Sequence, residues 1–63
     1  MANWIARVNG HHVGTISSRG EYSIDRIVAD SEDEAKRKAI EIAKETKNID
    51  DVYVVLIRKK SWL

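Results

Sequence analysis

Apolar and polar positions alternate from the start of the chain. Trp4, Ala6 and Val8 fall on one side of an extended segment and Ile5 and Arg7 on the other, the period-two signature of a half-buried strand. Asn9-Gly10 follows, a pair that tolerates positive φ and signals a hairpin turn. His11 to Ile16 is then expected to return as a second strand, weakened at Gly14. Ser17-Ser18-Arg19-Gly20 is polar and turn-like. Glu21 to Ala29 predicts a third strand with Tyr22 and Ile24 on one face. Ile27 and Val28 break its alternation, which places a bulge near Asp25-Arg26.

The pattern then changes period. Ala35, Ala39, Ile42, Ala43 and Thr46 share one helical face at i, i+4, i+7, i+8 and i+11. Ser31 with Glu34 three residues on forms a capping box, each side chain within reach of the other residue's backbone N–H. Glu32, Asp33 and Glu34 sit at the positive end of the helix dipole, Lys44 and Lys47 at the negative end. Asn48 suits a left-handed cap just beyond the helix. Ile40 lies off the apolar stripe, between Lys36, Glu41 and Lys44.

The last segment, from Asp51 to Lys59, is apolar on both sides. Strict alternation puts Val52, Val54 and Leu56 on one face and Tyr53, Val55 and Ile57 on the other. A strand apolar on both faces needs cover on both, and one helix can cover only one.

These elements predict a single α+β domain over residues 1–63. Its expected architecture is a mainly antiparallel sheet of three or four strands, in the order β-β-β-α-β, with one helix across one face. The expected core is Trp4, Ala6, Val8, Tyr22, Ile24, Ala35, Ala39, Ile42, Ala43, Val52, Val54 and Leu56. The remaining apolar side chains of the final strand, Tyr53, Val55 and Ile57, together with Ile5 opposite and Ile40 on the helix, are the candidate partner-binding residues.

Composition sharpens this picture. A chain of 63 residues buries only about 60% of its unfolded surface and is marginal in stability. Cysteine is absent, so disulfides and thiolate metal sites are excluded. Stability must come from packing, self-association or both. Eleven Lys+Arg oppose ten Asp+Glu, interleaved along the chain. That mixture does not give the one-sign field of a dedicated duplex-DNA binder.

Candidate chemistry is sparse. His11 and His12 are adjacent, and on a strand they point to opposite faces and cannot chelate one ion together. No serine lies in a nucleophile-elbow pattern, and no glycine run ends in the Gly-Lys-Ser/Thr of a phosphate loop. No metal, no cofactor and no catalytic activity are expected. Arg58-Lys59-Lys60 beside Trp62 is the one basic and aromatic cluster, the alternative being a nucleic-acid site built from these four residues. The longest apolar run, Val52 to Ile57, is far short of the ~20 residues of a membrane-spanning helix. The expected location is cytoplasmic.

Trp4-Ile5-Ala6-Arg7-Val8, Tyr22 to Ala43 and Val52 to Arg58 together resemble the small RNA polymerase inhibitors made by certain lytic bacteriophages. In that family an N-terminal strand with a tryptophan precedes a second strand, an acidic helix start and a final strand. The segment His11 to Gly20 is an insertion relative to that layout. The near-neutral charge also departs from what an inhibitor of a basic polymerase surface would carry. The resemblance implies a non-enzymatic protein that occupies the surface of a host protein complex. The partner is therefore expected to be a protein, either host machinery or a second copy in a homodimer, with nucleic acid as the alternative.

Overall fold

The computed structural model describes residues 1–14 and 19–62, the last as backbone only. Strand β1 (Ala2–His12), strand β2 (Gly20–Ala29), helix α1 (Glu32–Thr46) and strand β3 (Ile49–Trp62) follow in that order. The sheet has three strands in the spatial order β2-β1-β3, and β1 is antiparallel to both neighbours. β2 and β3 therefore run parallel, with β1 between them and α1 as the crossover.

The fold is α+β, as the periodicities predict, but its order is β-β-α-β. The expected turn at Asn9-Gly10 does not form. β1 runs through it, with Asn9 opposite Glu21 on one side and Tyr53 on the other, and Gly10 opposite Gly20. Gly10 serves close approach instead. It is buried, and a Cβ there would overlap the Ile49 Cγ2 methyl and press on the Val52 side chain. The expected second strand thus reduces to the end of β1 at His11-His12, followed by a turn at Val13-Gly14. Thr15, Ile16 and the predicted turn at Ser17-Ser18 lie outside the described residues.

The helix matches its prediction. Ser31 has extended backbone (φ −143°), and its Oγ accepts from the Glu34 N–H at 3.2 Å. The reciprocal bond is displaced by one residue, since Glu34 Oε1 accepts from the N–H of Asp30 at 2.7 Å. Asn48 takes the left-handed conformation (φ 54°) just after the helix, and its carbonyl accepts from Val13 N–H at 2.8 Å. Ala35, Ala39 and Ala43 are fully buried, and their small side chains let α1 lie close on the sheet.

The core lies between α1 and one sheet face. It contains Ala2, Trp4, Ala6, Val8, Ile24, Ile27, Ala29 and Ile49, with Tyr22, Ile42, Val52, Val54 and Ile57 packed at its margin. Trp4 Nε1 donates to the Ala29 carbonyl at 3.1 Å, which satisfies the indole where it is buried. Bulges decide which side chains reach this core. In β2 the register slips between Trp4 and Ala6, opposite Asp25-Arg26, with Arg26 in the left-handed region (φ 58°). This is the bulge predicted from the sequence, and it turns both Ile24 and Ile27 inward.

β3 carries three such slips, which the sequence pattern did not reveal. They fall opposite Asn9/His11, Arg7/Val8 and Asn3/Trp4, leaving extra residues near Asp51, at Val55 and at Lys60. Asp51 sits at positive φ (53°) and its N–H is met by Asp50 Oδ1 at 2.9 Å. Directly opposed residues share a face, so Val54 (opposite Val8) and Ile57 (opposite Ala6) face the helix, while Leu56 (opposite Arg7) faces away. The expected split of Val52, Val54 and Leu56 against Tyr53, Val55 and Ile57 is therefore corrected. Ile57 packs on the core, and Leu56, expected there, is 49% exposed.

Candidate functional site: the open face of the sheet

One face of the sheet has no layer over it among the described residues. Along β1 it presents Asn3, Ile5, Arg7, Asn9 and His11. The register adds Val28, Ser23 and Glu21 from β2, and Ser61, Arg58, Leu56 and Tyr53 from β3. Its apolar positions run diagonally, from Val28 through Ile5 to Leu56 and Tyr53. Tyr53, Val55 and Leu56 are each about half exposed, and Ile5 is half-buried.

A shallow hollow opens on this face, lined by Ile5, Ala6, Arg7, Ser23, Leu56 and Arg58, with a volume of about 110 Å³. Ala6 has its side chain in the core and so offers backbone here. That volume is well below the roughly 300 Å³ at which small-molecule sites begin and suits one side chain. Arg7 Nε lies 3.6 Å from Glu21 Oε1, a long and exposed contact. The Arg58 side chain makes no hydrogen bond or ion pair with any described residue.

At the far end of the face, Arg19 ties three segments together. Its Nε donates to Asn9 Oδ1 and its Nη1 to Asp51 Oδ2, both at 2.7 Å. Its Nη2 donates to the carbonyl oxygens of Asn9 and Asp51, and the guanidinium lies 5.3 Å from the Tyr53 ring centroid. The planar fork of Arg suits this combination of bidentate bonding and stacking. The arrangement fixes the ring of Tyr53 at the end of the apolar diagonal.

The candidate partner-binding residues are thus only partly brought together. Ile5 and Tyr53 share the open face. Val55 occupies the bulge at its β3 margin, half exposed. Ile57 belongs to the opposite face. Ile40 lies on α1, half-buried and remote from this surface. Leu56, Arg7 and Ser23 belong to the site and were not singled out from the sequence. No spacing in the sequence singles them out, because the unbroken apolar run from Val52 to Ile57 fits either face and only its pairing with β1 places Leu56 here.

The basic cluster is divided. Arg58 lies opposite Ile5 on the open face, Lys59 opposite Trp4 on the helix-facing side, and Lys60 in a bulge. The Trp62 side chain lies outside the described residues. His11 and His12 likewise alternate, opposite Asp50 and Ile49, and His12 Nδ1 lies 3.1 Å from the Val13 carbonyl oxygen. Among the described residues no group of three or more His, Asp or Glu side chains is arranged to hold a metal ion. No helix among them is long and apolar enough to cross a membrane. No protein-family model, curated protein or solved structure matches the chain.

Proposed function

We propose that the chain is a non-enzymatic protein-interaction module that acts by occupying a partner's surface with its open sheet face. The observation that carries this reading is the exposure of Tyr53, Val55 and Leu56 along β3 while α1 lies on the opposite side. A two-layer domain of this size normally spends its apolar side chains on its core, and an uncovered apolar face with polar neighbours is the usual form of a recognition surface. The hollow at its centre is open and flanked by two arginines, which suits recognition better than water-excluding chemistry.

The more specific reading is a phage-type modulator of a host protein complex. The β-β-α-β order, with Trp4 in the first strand and an acidic helix start, is the layout on which the resemblance to the phage polymerase inhibitors rests. Purified bacterial RNA polymerase tests that refinement directly. Retention on the immobilised protein, with slowed transcription, supports it, and no retention removes it.

The broader reading is tested with two variants. Leu56→Lys is expected to abolish capture of partner proteins while its helix signal and melting curve stay near those of the parent. Ile40→Lys is expected to leave capture unchanged. The reverse result would move the binding surface to α1 and end the proposal.

A further inference from the structure

The hollow at the centre of the open face has a chemistry of its own. Arg7 and Arg58 stand on adjacent strands at diagonal positions, since Arg7 opposes Leu56 and Ile5 opposes Arg58. Diagonal neighbours across a sheet lie within reach of long side chains. Both arginines line one depression, together with Ile5, Ala6, Ser23 and Leu56. Among the described residues the Arg58 side chain has no partner, and that of Arg7 has only the long contact to Glu21. Two under-used, planar donors beside an apolar wall form a receptor for an anion carried on an apolar scaffold.

The surrounding charge says which anion. Glu21 borders the hollow on one side, and Asp25 lies in the bulge opposite Ile5. A polyanion laid across the two arginines would bring its further charges over these carboxylates. A single carboxylate would not. The bordering residues Ile5, Leu56 and Tyr53 would meanwhile take apolar neighbours.

We infer that the hollow between Arg7 and Arg58 is a carboxylate subsite, filled by one Asp or Glu side chain that a partner protein presents between apolar residues. This rests on the open face being the binding surface and names the partner's chemistry there.

Titration of the isotope-labelled protein with the capped peptide Val-Leu-Glu-Val-Leu, followed by backbone amide shifts, tests it. Saturable shifts are expected at Ile5 to Arg7, Ser23 and Leu56 to Arg58. The same peptide with Gln in place of Glu should bind more weakly by about two- to fivefold, the upper range of one exposed ion pair. Arg58→Gln should erase that difference between the two peptides while leaving the spectrum of the free protein in place.

Equal binding of the two peptides overturns the carboxylate subsite and leaves the interaction face standing. Loss of the Leu56→Lys effect on partner capture would instead remove the face itself. Two further outcomes overturn the inference. One is tighter saturation of the same residues by an oligothymidylate than by the Glu peptide, which would make the hollow a phosphate site. The other is concentration-dependent shifts there without any peptide, which would give the face to a second copy of the chain. Absence of any peptide-induced shift at these residues also overturns it.

Discussion

Gly10 shows how a single residue can be misread for a sound reason. Next to Asn9 it forms the pair most typical of a tight hairpin turn, yet here it lies inside the central strand. Its lack of a side chain is used where β3 bulges toward it, so that the Ile49 methyl occupies the space a Cβ would need. Ile49 is buried, and the Asp50 carbonyl and the Val52 side chain close the same space, so overpacking there is relieved only by moving a side chain or the strand. Gly10→Ala should therefore cost about 2 kcal/mol, the middle of the usual overpacking range, despite alanine's better strand propensity. Urea denaturation measures this directly. A variant as stable as the parent would mean that Ile49 can rotate away and that Gly10 is not under packing constraint. Companion substitution Ile49→Ala, which removes the offending Cγ2 methyl, should cost less in the Gly10→Ala background than in the parent, because the two residues share one contact.

At the scale of the element, β3 carries the decisive feature. A slip of one residue in a strand sends every later side chain to the other face, and β3 slips three times. The bulge at Val55 places Ile57 on the core and Leu56 in solvent, the reverse of simple alternation. Two substitutions separate these arrangements. Ile57→Lys should destabilise the fold by about 2 kcal/mol or more, since it places an ammonium against the core margin. Leu56→Lys should change stability by less than about 0.5 kcal/mol, as expected for an exposed site. Thermal melts followed by circular dichroism compare the two, and the opposite ranking would restore strict alternation through β3.

The helix, by contrast, was legible almost entirely, because its cap at Ser31, its alanine stripe and its Asn48 terminus are local features. The bulge at Asp25-Arg26 was legible too, because Ile24, Ile27 and Val28 break the alternation within a few residues. β3 was not, because a continuous run from Val52 to Ile57 satisfies either face assignment. Only the pairing with β1 selects one. The centre of the candidate site suffered the same fate. Ile5 and Tyr53 were found from their pattern, whereas Leu56, Arg7 and Ser23 join them only through cross-strand register.

At the scale of the whole molecule, the question is how a partner engages a sheet with one covered face and two free edges. The chain is elongated, 39 × 18 × 15 Å, and β1 is paired on both sides while β2 and β3 are edges. A partner can lie on the open face or add a strand to an edge, and the two modes use different groups. Strand addition needs an unbroken row of outward N–H and C=O groups. β3 is the longest strand, yet its bulges near Asp51, at Val55 and at Lys60 interrupt that row, a common protection of free edges. Face docking needs only side chains, and those are in place.

Amide hydrogen exchange distinguishes the modes in one experiment. In the free protein the β1 amides from Trp4 to Asn9 should exchange slowest, because they are paired between two strands and open only with the whole fold. Alternate amides of β3 should exchange quickly, because they point to solvent. When a partner binds across the open face, the outward β3 amides should remain fast, while the side-chain environment of Leu56 and Tyr53 changes. A partner that instead slows every second amide between Tyr53 and Ser61 would be adding a strand. That result would show the bulges to be no barrier, and it would move the binding surface from the face of the sheet to its edge.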